Sequence, residues 1–147
     1  MVRDLLLSLC LFWGCSFSFG QIYVESSQAM NIDHVHLDSN IMGGGVACFD
    51  FNNDGYEDIY MTGGTNRDQL FENNQNGTFS EVGISAGLSI TGPVKTVGVT
   101  TGDIDNDGDR DLFVTTSEDH NNLLFLNKVV QLLLYNHTTW LIITIGI

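Results

Sequence analysis

The chain has 147 residues, a formal net charge of −13 at pH 7, and 16 glycines against one proline. A net negative charge of this size opposes contact with nucleic acid and with anionic membrane surfaces, so we expect neither as a partner. Much of the charge is concentrated in two short acidic stretches, and these are the first candidates for function.

The first 20 residues have the pattern of an export signal. Arg3 precedes an apolar run at residues 5–19, and small residues stand near its end. The run is shorter than the about 18 residues that a membrane anchor requires. Lipidation at Cys15 is a weaker alternative, because bulky side chains come shortly before it. We therefore predict a signal peptide at 1–20 and a secreted, periplasmic or cell-surface location.

Removal of that segment would leave Cys48 as the one cysteine of the mature chain. No intramolecular disulfide can then form, and a small exported domain without disulfides often depends on a bound metal instead. Because Cys48 stands in an apolar run, we predict a small buried core residue rather than a nucleophile.

Two nine-residue stretches, 50–58 and 103–111, repeat one acidic pattern at a spacing of 53 residues. Calcium binds about six to eight oxygens, and a D-x-[DN]-x-[DN]-G loop supplies side chains from its first, third and fifth positions and a carbonyl from the seventh. The glycine at the sixth position permits the sharp turn. The alternative, that these residues only cap solvated turns, loses weight because the match occurs twice.

The helix-loop-helix form of this motif closes its ligand set with a glutamate at position twelve, where both loops have an apolar residue. An aspartate at position nine is expected to close each set instead. The predicted ligands of the first loop are Asp50, Asn52, Asp54, the Tyr56 carbonyl and Asp58. Those of the second loop are Asp103, Asp105, Asp107, the Asp109 carbonyl and Asp111. We expect about two Ca²⁺ sites, and magnesium fits less well because it uses few protein ligands and retains water.

Short runs of β-branched and aromatic residues flank both loops, at 46–49, 59–62 and 112–115. Such runs are typical of strands, so each loop is predicted to join two strands. Weaker similarities between 22–30 and 79–88, and between 68–73 and 122–127, extend the repeat over most of the chain. His34 and His36 are too few to predict a zinc site.

The stretches 44–60 and 99–114 resemble the FG-GAP or VCBS repeat. On these residues the chain is similar to exported proteins related to cartilage acidic protein, where such repeats precede an ASPIC/UnbV domain, and to integrin α-chain heads. The resemblance covers roughly residues 22–128 and implies β-propeller blades, each a four-stranded sheet, with calcium in a hairpin loop of certain blades. A propeller needs about 4–8 blades, so two repeats cannot close one. The chain is therefore a fragment or truncated product, or it associates with other chains.

The predicted fold is all-β, an incomplete propeller of about two FG-GAP/VCBS-type blades. The predicted organisation is a signal peptide at 1–20, a repeat region at 21–128 with units at about 22–78 and 79–128, and an apolar tail at 129–147. For the tail, a membrane span, strand-like filler and an incomplete gene product all remain open.

The predicted function is that of a calcium-binding repeat module of an exported protein, acting in adhesion or protein interaction rather than catalysis. Its partner would be a protein or cell-surface ligand whose identity the sequence does not give, and unpaired sheet edges predict self-association. A metal-dependent hydrolase is one alternative, although the sequence has no evident nucleophile, histidine and acid arrangement. A purely structural spacer is the other.

Overall fold

The computed structural model describes residues 23–38, 43–117, 120–128, 131–136 and 145–146. The predicted signal peptide at 1–20 lies outside this part of the chain. Within the described ranges, no helix is long and apolar enough to cross a membrane.

The described chain is all-β and forms two antiparallel sheets in which strands follow chain order. The first sheet contains β1 (Val46–Phe49), β2 (Asp58–Met61), β3 (Gln69–Asn73) and β4 (Phe79–Glu81). The second contains β5 (Thr96–Gly102), β6 (Asp111–Thr116), β7 (Leu123–Lys128), β8 (Gln131–Asn136) and β9 (Ile145–Gly146). A 3₁₀ helix, η1 (Leu88–Thr91), lies between them. The predicted all-β class is confirmed, and the sheets are consistent with an incomplete set of propeller blades.

The second sheet differs from the expected four-stranded blade, because it has five strands. Its last two strands, β8 and β9, come from the apolar tail at 129–147 and extend the sheet beyond β7. The sheets are also out of phase with the sequence repeat. Residue 79, where the second sequence unit was expected to begin, starts β4, which completes the first sheet.

Both acidic loops join adjacent antiparallel strands, as the flanking runs predicted. The first loop connects β1 to β2, where Phe49 pairs with Asp58, and the second connects β5 to β6, where Gly102 pairs with Asp111. The ninth residue of each loop is thus the first residue of the following strand. This register fixes where each loop ends.

A single apolar cluster lies between the two sheets, because each sheet buries one face against the other. Ala47, Tyr60 and Leu70 form one cross-strand row of the first sheet and point into this cluster. The second sheet contributes its alternate residues: Leu112, Val114, Leu123 and Phe125. Burial of these side chains is the main apolar contribution to stability, at roughly 1.5–3 kcal/mol for each large one.

Cys48 contradicts its predicted place in the core, since its side chain is exposed. The residue is on β1 between Ala47 and Phe49, which point into the core, and it therefore points to the opposite face of the sheet. Its thiol is accessible on a surface that the apolar cluster does not reach.

A buried polar network centred on Asp68 links the first sheet to the start of the second. Tyr60 donates its hydroxyl to one carboxylate oxygen, and Thr96 donates to the other at 2.5 Å. The second oxygen also accepts the N–H of Gly63 at 2.7 Å. Burial raises the pKa of Asp68, and these donors oppose that shift.

The segment before β1 repeats the geometry of the connection between the two sheets. A turn at 27–31 has the same form as a turn at 83–87. In each, an N–H bonds the carbonyl of the residue five positions earlier: Ile32 to Ser27 at 2.8 Å, and Leu88 to Gly83 at 2.7 Å. The last residue of each turn is left-handed, with φ of 61° at Asn31 and 85° at Gly87. The structure therefore repeats the turn part of the weak sequence similarity, whereas residues 23–26 form no strand to match β4.

Candidate metal centre

The two acidic loops follow the same backbone path. Their fourth residues, Asn53 and Asn106, both have φ of 59°, and their sixth residues, Gly55 and Gly108, have φ of 87° and 100°. Asparagine tolerates this left-handed conformation better than most residues, and glycine adopts it freely. The N-D-G sequence shared by the loops therefore specifies one turn twice.

The first aspartate of each loop holds the turn by accepting two backbone N–H groups. Asp50 accepts the N–H groups of Asp54 at 3.1 Å and Gly55 at 2.7 Å. Asp103 makes the corresponding bonds to Asp107 and Gly108, both at 3.1 Å. Each carboxylate is consequently tied to the backbone of its own turn.

The aspartate at position five of each loop accepts one backbone N–H group. Asp54 accepts the N–H of Tyr56 at 2.9 Å, and Asp107 accepts that of Asp109 at 3.1 Å. These bonds fix the peptide units around position seven, whose carbonyls the sequence assigns to the metal.

The aspartates at position nine of the loops, Asp58 and Asp111, are buried. Each accepts N–H groups from its own loop and from a strand further along the chain. Asp58 accepts the N–H groups of Phe51 at 3.0 Å and Asn73 at 2.8 Å. Asp111 accepts those of two residues at matching positions, Ile104 and Asn127, both at 2.7 Å. These aspartates therefore have a structural role as well as the predicted ligand role.

The charge of these buried carboxylates is unfavourable without a cation. Burial raises the pKa of Asp58 to about 6, the two backbone donors oppose the shift, and the neighbouring Asp54 and Asp50 add to it. Burial likewise raises the pKa of Asp111, with further contributions from Asp105 and Asp107. A divalent ion nearby would reverse these shifts by favouring the ionised forms.

Three carboxylates of the second loop converge on one point. Oxygen atoms of Asp103, Asp105 and Asp111 all lie within 4.8 Å of one another. Oxygens about 2.3–2.6 Å from one calcium ion can be separated by up to roughly twice that distance, so this spacing fits a shared ion. The donor set is all oxygen, which is the chemistry that calcium prefers.

The other predicted ligands have additional contacts. In the first loop, Asn52 donates its amide to Glu72 at 3.0 Å, and Asp54 accepts the Gln75 amide at 3.1 Å. The Tyr56 ring is exposed, as expected for a residue that would contribute only its carbonyl. In the second loop, the Asp109 side chain is buried. It points towards the first loop.

A direct hydrogen bond connects the two loops, and a second bond connects β7 to the first loop. Asn53 donates its side-chain amide to Asp109 at 2.7 Å. Asn127 donates its amide to the Phe51 carbonyl at 2.9 Å, and this bond is buried. The candidate sites therefore lie next to each other on one side of the paired sheets.

Sequence reasoning missed the residues that support the loops from the following strands. Asn73 and Asn127 were the available signal, since they end the similar runs at 68–73 and 122–127. His34 and His36 have a different role, because a ring nitrogen of each lies 2.9–3.0 Å from the Thr62 carbonyl. They hold the segment 23–38 against the first sheet.

A known protein family matches the part of the chain that contains both loops. Residues 50–114 match the profile of the FG-GAP-like repeat, a range that contains both acidic loops and the strands between them. No curated protein matched the chain. The match of residues 50–114 supports the assignment of this all-β chain to the FG-GAP family.

Proposed function

We propose that this chain is a calcium-binding interaction module of an exported protein. The observation that carries the proposal is the convergence of the Asp103, Asp105 and Asp111 carboxylates within 4.8 Å at the β5–β6 turn. An FG-GAP-like repeat contains this turn, and it supports a propeller-type module for protein interaction.

Calcium would act on the fold through charge. The two loops contain seven carboxylates among the predicted ligands that bind through side chains, and these repel one another in the absence of a cation. Asp103, Asp105, Asp107 and Asp111 would hold the ion in the second loop, and Asp50, Asn52, Asp54 and Asp58 in the first. The bound ion would neutralise part of this charge and make each loop rigid.

Export and adhesion are the finer parts of the proposal. They are supported by the signal-like residues at 1–20, by the net charge of −13, and by the resemblance to exported ASPIC/UnbV-associated proteins and integrin α-chain repeats. The partner would be a protein or a cell-surface ligand that binds an ordered loop surface.

We propose a non-enzymatic role because the loops contain acids and amides but no nucleophile paired with a base. The aspartates are used in holding the turns, as the bonds from Asp50 and Asp103 to backbone N–H groups illustrate. A hydrolytic metal would require an open position beside an acid, base or nucleophile.

Thermal unfolding in calcium, in magnesium and in chelator tests calcium binding. At an affinity of ~0.1 mM and ~1 mM free calcium, each site would add about 1.4 kcal/mol to the free energy of unfolding. Asp105→Asn removes one exposed ligand charge and should reduce the gain, while Asp33→Asn is an exposed control outside the loops. Superimposable melting curves in calcium and chelator would refute calcium binding.

A pull-down tests the interaction role separately. The calcium-loaded chain is immobilised and exposed to cell-envelope extract, with the Asp105→Asn variant in parallel. Stronger capture by the parent than by the variant is the expected result. Equal capture by both would show that partner binding does not depend on calcium in the second loop.

A further inference from the structure

The two sheets are stacked in a way that leaves one complementary face exposed on each. In the first sheet, the row Ala47, Tyr60 and Leu70 points into the shared core. Its partners in the second sheet include Leu112 and Val114. The two sheets therefore do not contact each other through equivalent faces.

Residues that are 53 positions apart in the sequence occupy equivalent positions in the two sheets. Ile59 and Met61 of β2 correspond to Leu112 and Val114 of β6. They belong to the face of the first sheet that points away from the core, together with Val46 and Cys48. We call these four residues the first-sheet outer face.

The same correspondence locates a matching face on the second sheet. Its residues Thr100, Phe113 and Leu124 pair across β5, β6 and β7. They correspond to the row Ala47, Tyr60 and Leu70, and we call them the second-sheet outer face.

Both outer faces have apolar or small uncharged side chains that are still accessible. Val46 is 60% exposed, Cys48 is exposed, and Ile59 and Met61 are half-buried. On the second sheet, Thr100 is exposed, and Phe113 and Leu124 are half-buried. None of these seven residues is charged, and accessible uncharged side chains grouped on a chain of net charge −13 indicate an interaction site.

The segment 23–38 stands before β1 as the connection at 83–95 stands before β5. The connection at 83–95 leads into β5, and the segment 23–38 repeats its turn on the approach to β1. The carbonyl of Met30 accepts the N–H of Phe79 at 2.9 Å, and Phe71 and Phe79 are buried. The remaining accessible part of this face is the β1–β2 half.

We infer that the first-sheet outer face binds the second-sheet outer face of another copy of this chain. The contact repeats between molecules the sheet packing seen within one molecule, with the same positions in contact. It joins two different surfaces, so it is head-to-tail, and further copies can add at either end until a ring closes. The inference names a partner for the proposed interaction module and does not require calcium.

Sedimentation velocity over a range of concentrations tests the inference with two single-charge variants. Val46→Lys places a charge on the first-sheet outer face, and Thr100→Lys places one on the second-sheet outer face. Both positions are exposed in the single chain, so folding should be unaffected, which circular dichroism checks. Ser89→Lys, at an exposed position on η1, is the matched control.

The parent and Ser89→Lys should associate, and each face variant should associate at least about tenfold more weakly, because a lysine charge would be buried in the contact. Mixing the two face variants should restore a pair, since Val46→Lys retains an intact second-sheet face and Thr100→Lys an intact first-sheet face. Restoration distinguishes a head-to-tail contact from a symmetric one.

Three outcomes would overturn the inference. They are a parent that stays monomeric at all concentrations, association that neither face variant weakens, and two weakened variants whose mixture forms no pair. Each measurement is repeated in calcium and in chelator. If calcium does not stabilise the chain but the chains associate, the calcium proposal alone is refuted. If calcium stabilises the chain but the chains do not associate, this inference alone is refuted.

Discussion

Asp68 offers the sharpest test of how the two sheets are held together. Its carboxylate is buried and accepts three donors: the Tyr60 hydroxyl, the Thr96 hydroxyl at 2.5 Å and the Gly63 N–H at 2.7 Å. Thr96 is the first residue of β5, whereas Tyr60 lies in β2. The network therefore crosses from one sheet to the other.

Replacing Asp68 by alanine would leave all three donors without their acceptor. An unsatisfied buried donor costs about 1–3 kcal/mol, although relief of the desolvated carboxylate offsets part of the loss. We expect a fall of about 3 kcal/mol in the free energy of unfolding. Asp68→Asn keeps one oxygen for Gly63 and Thr96 and presents an amide to the Tyr60 hydroxyl, so we expect a fall of about 1 kcal/mol.

Urea unfolding at fixed calcium concentration measures both changes, and Asp33→Ala is the exposed control. The slope of the free energy against urea should stay constant if the sheets still unfold together. The reasoning is refuted if Asp68→Ala stays within about 0.5 kcal/mol of the parent, which is the usual range for surface changes. It is also refuted if the asparagine variant loses more stability than the alanine variant.

Three further predictions concern the loops. The second loop should bind calcium more tightly than the first, by about 1 kcal/mol or several-fold, because Asp105 is charged where Asn52 is neutral; titration of Asn52→Asp should show the weaker step strengthened. In calcium-free buffer, the free energy of unfolding should fall as pH rises from about 4 to about 6. The reason is that the folded state holds a proton on Asp58, whose pKa is raised from 3.8 to about 6. Urea unfolding against pH measures this, and Asp58→Asn should flatten the profile. Gly108→Ala should lose about 1 kcal/mol in thermal unfolding through backbone strain alone, because φ is 100° and an added Cβ would meet nothing within 4 Å; a neutral change would show that the turn relaxes freely.

The fold class and the loops could be predicted because their signals are local. The N-D-G turn is specified by residues that tolerate a left-handed backbone, and Asn53, Gly55, Asn106 and Gly108 all adopt it. The flanking strands follow from composition over four or five residues. Such features require no knowledge of what lies across the molecule.

The placement of faces could not be predicted, and Cys48 is the example. Alternation along β1 shows that Cys48 and Phe49 point in opposite directions, but it does not show which direction is covered. That depends on the second sheet, about 50 residues further along the chain. The Asp68 network was missed for the same reason, since its partner Thr96 is distant in sequence.

The contact between the loops leads to a last prediction, that the two candidate sites are coupled. Asn53 of the first loop donates to Asp109 of the second at 2.7 Å, so it fixes the residue whose carbonyl is a predicted ligand. Asn53→Gly removes the amide while permitting the same positive φ, and it should weaken calcium binding at the second loop about fivefold, or about 1 kcal/mol.

A double-mutant cycle with Asp109→Ala isolates the interaction, because both single variants lose the same bond. We expect the double variant to bind calcium at the second loop about as weakly as the Asp109→Ala variant alone. Strictly additive losses, or an unchanged second-loop titration in Asn53→Gly, would show that the loops bind independently. In that case the Asn53 bond would only hold the two sheets together.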